Sequence, residues 1–170
     1  MNRNLALNLA RATEAAALSA GSFLGQGKKN EADGAAVDAM RRLFDTVDIN
    51  GEVVIGEGEI DEAPMLYIGE KIGTKKPNAD EVDIAVDPLD GTTSIANGMN
   101  NAISVLAAAP KGCLLNAPDV YMDKIACGPG AKGCIDLTDS VENNINRVAK
   151  ALGKKVEDIT VSVLKRERHD

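Results

Sequence analysis

Apolar residues recur at helical spacing from the start of the chain. Leu5, Leu9, Ala12, Ala16, Ala20 and Phe23 fall on one stripe, which predicts a helix over 3–24. Alanine dominates the stripe, so this helix can approach a partner closely, and Gly25 and Gly27 end it. A second helix is predicted from an Asn30 N-cap to Thr46, burying Ala36, Val37, Met40, Leu43, Phe44 and Val47. Alternation then replaces the helical period. Val53-Val54-Ile55 predicts a short strand, and Met65–Ile68 leans to strand. Lys75–Asp80 reads as a polar loop. Val82, Ile84 and Val86 alternate with Asp83 and Ala85, a strand that should end near Asp87 because Pro88 cannot donate to a ladder. Ala102–Ala109 is a continuous apolar run, predicted to be a buried strand. Lys111-Gly112 turns the chain into Cys113-Leu114-Leu115, and Asn116–Asp119 turns it again into a strand over Val120–Cys127. Asp139 or Ser140 caps a helix with Val141, Ile145, Val148, Ala149 and Leu152 on one face, closed by Gly153. Ile159, Val161 and Val163 suggest a last strand. With no repeat, linker or low-complexity tract, the pattern predicts one domain over 1–170.

Composition narrows the chemistry. The chain has 170 residues, two Phe, two Tyr and no Trp, so its core must pack Ala, Val, Ile, Leu and Met. A net charge of −7 argues against nucleic-acid or anionic-membrane partners. A phosphate substrate would then need metal ions and locally placed Lys or Arg to offset repulsion. Cys113, Cys127 and Cys134 lack C-x-x-C spacing and read as free thiols of a cytoplasmic protein. No secretory h-region and no bilayer-length apolar run is visible. His169 is the only histidine, which excludes two-His zinc sites and Ser-His-Asp or Cys-His catalysis within this chain.

The chemistry-bearing residues sit where predicted strands end. Asp87 and Asp90 flank a tight turn in VDIAVDPLDGTT. Gly91 frees the backbone, and Thr92, Thr93 and Ser94 are good caps for a short helix whose amides form a phosphate seat. Two hard oxygen ligands beside an anion pocket suit a divalent metal holding a phosphate ester. The same residues also read as an Asx-stabilised turn. Glu57 follows the Val53–Ile55 strand within GEGEIDE, where glycines alternate with acids; a solvated acidic loop is the competing reading. Asp33 equally reads as an N3 acid that complements the dipole of its helix.

Taken together, Glu57, Asp87, Asp90, Gly91 and Thr92 resemble the pattern of the lithium-sensitive, magnesium-type sugar phosphatases. KNEADGAAVDAMR, VVIGEGEIDEAPMLYIGEKIG and LNAPDVYMDKI resemble the class II fructose-1,6-bisphosphatases, including the bifunctional fructose/sedoheptulose enzymes. The resemblance runs from Asn2 to Asp170 and implies a layered α/β (α+β) sugar-phosphatase fold. It implies hydrolysis of the 1-phosphate of fructose 1,6-bisphosphate with Mn²⁺ or Mg²⁺. Asp33, Glu57, Asp87 and Asp90 match metal ligands, and Glu57, Asp61, Thr92 and Lys29 match catalytic positions. Asp90, Gly91, Thr92, Tyr121, Arg166, Glu167 and Arg168 match substrate-binding positions. Inositol or nucleotide monophosphatases share part of the pattern, but GEGEIDEAP argues against them. Family members are longer, so the resemblance covers their N-terminal half and implies a metal-binding, catalytic domain over 1–170 without its C-terminal half. A non-catalytic fragment or one piece of a split enzyme is the alternative. The full-length form is expected to be a homo-oligomer. The chain alone should self-associate or pair with a complementary half, because an interrupted sheet leaves an open edge and apolar face.

Overall fold

The computed structural model describes residues 4–58, 64–115 and 122–163. The chain divides into two compact units, Met1–Asp119 and Val120–Asp170.

In the first unit, helix α1 spans Leu5–Gly21 and α2 spans Lys29–Phe44. Strands β1 (Ile49–Ile55), β2 (Lys71–Ile72), β3 (Asp80–Asp90) and β4 (Ile103–Pro110) follow, with a short helix α3 (Thr92–Ala96) between β3 and β4. The sheet order is β2-β1-β3-β4, with β1 and β3 parallel and both outer pairs antiparallel. The architecture is therefore α+β around a mixed sheet. The apolar stripe of α1 behaves as its spacing requires: Leu5, Ala12, Ala16 and Ala20 are buried, with Leu9 and Phe23 packed at the margin. Ala32 and Ala36 of α2 are equally buried in the same core, which also takes in Met40, Phe44, Ile49, Val53, Ile84 and Val86. Small side chains let α1 and α2 pack closely on the sheet. The larger ones contribute about 1.5–3 kcal/mol each by leaving water.

Four local expectations for this unit change. Helix α2 is capped at Lys28, not Asn30, and Glu31 is its first-turn acid. Asp33 thus lies beyond the first turn, where the dipole offers a carboxylate little, and the helix-dipole reading of Asp33 loses its basis. Strand β3 runs past Pro88 to Asp90 because the ladder shifts between the Asp87↔Val105 and Asp90↔Ile103 pairs. That bulge holds the proline, whose missing N–H costs no ladder bond there. Met65–Ile68 is a series of bends and turns, with Leu66 in the left-handed region at φ 56°. Finally, β4 is not buried on both faces. Ile103 and Val105 are 53% and 45% exposed, while Leu106 and Ala108 pack against the core. Helix α1 packs against β4, and β4 is an edge of the sheet among the described residues.

The second unit contains a 3₁₀ turn at Pro129–Ala131, helix α4 at Val141–Leu152 and a 3₁₀ turn at Val156–Asp158. Ser140 caps α4 by accepting from the Asn143 amide at 3.1 Å, and Gly153 closes it at φ 63°, both as the residue types require. The predicted strands at 122–127 and 159–163 do not form; residues 120 and 121 lie outside the described residues. Alternating β-branched residues make a strand only when a ladder partner is present. Instead, Asn144 organises the unit. Its Oδ1 accepts from the Asp136 amide at 2.7 Å and its Nδ2 donates to the carbonyls of Asp136 and Ser140. Arg147 adds bonds to the Cys134 carbonyl and the Asp139 carboxylate. Cys113, Cys127 and Cys134 are unbridged, as their spacing suggested.

Candidate active site

Strands β1 and β3 run in the same direction, so both deliver their following residues to one end of the sheet. Their last register pair is Ile55↔Ala85, and Glu57 and Asp87 each lie two residues beyond it. The β3 bulge then carries the chain to Asp90 and into Gly91, which caps α3 at φ 96°. The cap is Gly91 rather than Thr92, Thr93 or Ser94, because the sharp exit from the strand demands a left-handed residue. A Cβ at Gly91 would also meet the Ala102 backbone at 3.1 Å. Thr92 becomes the first helical residue, and the Ser94 amide bonds the Gly91 carbonyl at 2.8 Å.

The start of α2 is brought to the same end. The Gly25 and Gly27 amides each donate at 2.8 Å, to the carbonyls of Ile95 and Ala96. These bonds tie the loop before α2 to α3, and α2 packs against α3. Lys29 and Asp33 are thereby placed beside the end of β3. The electrostatics record the convergence. Partial loss of hydration raises the Asp87 carboxyl above its ordinary value; the charges of Asp90 and, less strongly, Asp33 push it further. The Leu89 amide, donating at 3.2 Å, pulls the other way. Asp33 is likewise raised by partial burial, against the opposing charge of Lys29. Asp87 therefore feels the like charges of Asp90 on its own strand and of Asp33 on helix α2.

Glu57 is held through its backbone: its amide donates to the Leu66 carbonyl at 2.9 Å, and the Ile68 amide donates to the Gly58 carbonyl at 2.9 Å. Gly56 is required for this, since a Cβ there would lie 2.0 Å from the Leu66 carbonyl oxygen. Gly56, Glu57 and Gly58 thus make a close backbone crossing at the strand end, not merely a solvated loop. Asp61, Tyr121, Arg166, Glu167 and Arg168 lie outside the described residues. The sequence pattern singles out neither Arg41 nor Glu70, the part-buried ion pair next to this crossing. The only sequence signal for Arg41 was its place one turn after Val37 on the inner side of α2.

The donors are hard carboxylate oxygens, which suit Mg²⁺ or Mn²⁺ better than softer ions. Among the described residues no three such side chains close on a single point as a ready cage. The mutual repulsion at Asp87 is nonetheless of the kind that a divalent cation relieves, so the donor set fits one.

A sheet end that gathers carboxylates beside a glycine-capped turn is suited to metal-assisted chemistry on phosphate esters. Comparison with known sequences gives the family. Residues 3–170 match the model of the bacterial fructose-1,6-bisphosphatases, glpX-encoded, and the chain belongs to that family. It is 57% identical over 170 residues to fructose-1,6-bisphosphatase 1 class 2 of Escherichia coli K12, covering all of this chain and 50% of that protein. Over the same coverage it is 57% identical to the class 2 fructose-1,6-bisphosphatase of Shigella flexneri and 55% to that of Haemophilus influenzae. The chain thus spans about half the length of the curated relatives it matches.

Proposed function

We propose that this chain supplies the metal- and phosphate-handling portion of a divalent-metal-dependent phosphatase that converts fructose 1,6-bisphosphate to fructose 6-phosphate. The observation that carries the reading is the gathering of Asp33, Asp87 and Asp90, with Lys29, at one sheet end in a chain of this family. Glu57, Asp87, Asp90 and Asp33 would hold Mn²⁺ or Mg²⁺. Such a cation, when bound, acidifies water and neutralises phosphoryl charge.

The other roles belong to this chain's own groups. The Thr92 hydroxyl orients the attacking water in line with the 1-phosphate, and Asp33 accepts a hydrogen bond in that array. The amides of Gly91 and Thr92 face the phosphoryl oxygens, which gain charge as the ester bond breaks. Lys29 offsets the local negative charge, so a dianionic ester can approach an acidic protein. Asp61, Tyr121, Arg166, Glu167 and Arg168 bind or position the sugar and its second phosphate. No helix among the described residues is long and apolar enough to cross a membrane, and we place the enzyme in the cytoplasm as a homo-oligomer in its full-length form.

The test is phosphate release from fructose 1,6-bisphosphate, with and without Mn²⁺, by this chain alone and mixed with the C-terminal half of a relative. Metal-dependent release that disappears in Glu57→Ala supports the reading. Metal-independent release, or full turnover by Glu57→Ala, overturns the assigned role of Glu57. No release in either setting favours a non-catalytic fragment.

A further inference from the structure

We infer that Arg41 and Glu70 form a positioning bridge that registers the backbone of Glu57 to helix α2. Four observations converge on it. First, Glu70 is buried, and both of its carboxylate oxygens are used. Oε1 accepts from Arg41 Nε at 2.5 Å, and Oε2 accepts from the Leu66 amide. Second, Leu66 is fully buried and sits at φ 56°, a conformation that a leucine holds only when its surroundings impose it. Third, the Leu66 carbonyl is the acceptor for the Glu57 amide, and it passes so close to Gly56 that no side chain fits there. Fourth, Arg41 is itself anchored, its Nη1 donating to Asp45 at 2.6 Å one turn along α2.

The path is therefore continuous, from Asp45 through Arg41 and Glu70 to the Leu66 peptide and the Glu57 amide. A part-buried ion pair is a weak source of stability, because the hydration its two charges lose offsets much of their attraction. This one does something apolar residues could not: it supplies an acceptor for a buried amide in a left-handed turn, with a fixed direction. Burial alone would lower the Arg41 guanidinium, but its bonds to Glu70 and Asp45 more than offset this and hold it above its ordinary value. It stays charged at any working pH. The consequence is geometric. Helix α2 carries Lys29 and Asp33 at one end and Arg41 further along. One rigid helix thus sets Asp33 directly and Glu57 through the bridge, so the two carboxylates keep a common frame although they lie on different elements.

The experiment reads backbone amide exchange by NMR in this chain, in R41K and in the apolar double variant R41M/E70M. We expect the Glu57 and Leu66 amides to exchange at least tenfold faster in R41M/E70M, while Ile84 in β3 and Met40 in α2 keep their protection. R41K keeps a cation near Glu70 but cannot bond Asp45 at the same time, and should restore most of the protection. Unchanged Glu57 exchange in a folded R41M/E70M overturns the inference; should that variant not fold, unchanged Glu57 exchange in the single variant R41M, which removes the cation from Glu70, does so. A second readout rests on the proposed role of Glu57: Mn²⁺ affinity by calorimetry should fall about 10–100-fold in R41M/E70M. Absence of Mn²⁺ binding by the unmodified chain would overturn the metal reading and leave the exchange result to judge the bridge.

Discussion

The two units of this chain reach a fixed structure by opposite means. The first is held by an apolar core in which five alanines, Ala12, Ala16, Ala20, Ala32 and Ala36, are fully buried beside Phe44, Met40 and the sheet. The second has few buried apolar side chains among the described residues; its order comes from Asn144 and Arg147 of α4 bonding the segment from Cys134 to Ser140 that precedes the helix. Val141 and Leu152, on the predicted apolar face of α4, are 74% and 42% exposed. Close packing is cooperative and fixes positions to fractions of an ångström, whereas polar staples fix a few atoms and leave side chains free. The candidate site lies on the first kind of structure. Carboxylates that repel one another need a scaffold that does not yield.

The comparison breaks most visibly at Phe44. Phe44→Ala removes a fully buried ring from the first unit and should cost about 3–5 kcal/mol, a large share of a domain's total. Exchange within 141–152 should be unchanged while protection in α1, α2 and β3 collapses. Equal loss of protection in α4 would show that the second unit depends on the first core and is not held by its own staples.

How far each unit could be read beforehand follows the same division. Helices α1, α2 and α4 were legible because periodicity and capping are local; Ser140 and Gly153 end α4 where their chemistry demands. The presence of Asp87, Asp90 and Gly91 at the end of β3 was legible for the same reason, but the bulge that carries the strand past Pro88 to Asp90 and the cap at Gly91 were not. What failed needed a partner. Two-residue β2 has no pattern to show, the exposure of Ile103 and Val105 in β4 depends on what covers them, and Val161 and Val163 alternate without forming a strand among the described residues. Asn144 occupies a position on the apolar face of α4 and was passed over, since one amide among valines signals little until the carbonyls it meets are known. Arg41 and Glu70 are 29 residues apart, and nothing local in either stretch announces their pairing. Of the candidate site, Asp87, Asp90, Gly91 and Asp33 were placed together by the fold; Asp61, Tyr121, Arg166, Glu167 and Arg168 lie outside the described residues.

A divalent cation should sharpen the contrast between the units. Asp33 and Asp87 are raised carboxyls, so the folded chain binds their protons more tightly than the unfolded chain does at its value of 3.8. Their contribution to stability is present below the unfolded value and is lost as pH rises through the raised folded ones. At neutral pH the first unit therefore holds ionised carboxylates at a cost. Mn²⁺ at a hundredfold excess over its dissociation constant should return about 2.7 kcal/mol to that unit, seen as a rise in its melting temperature. The rise should shrink toward acid pH as protons compete, and Asp87→Asn should reduce it. A rise that persists in acid would show binding elsewhere.

Within the second unit, Asn144→Ala should cost about 1–3 kcal/mol, because it removes a buried amide side chain, the Asp136 amide loses its acceptor and two carbonyls lose a donor. Ser140→Ala removes one cap bond to the Asn143 amide and should cost about 1 kcal/mol. Hydrogen exchange of 141–152 measures both, and their ratio carries the argument. If the unit is held by Asn144, its loss should release the whole helix, whereas the cap variant should fray only the first turn. Similar, uniform acceleration in the two variants would mean that α4 stands or falls on its own helical stability, and that the bonds around Asn144 decorate the unit without holding it. Loss confined to the first turn in Ser140→Ala, against loss throughout in Asn144→Ala, would place the keystone at the one polar side chain that the apolar pattern of the helix conceals.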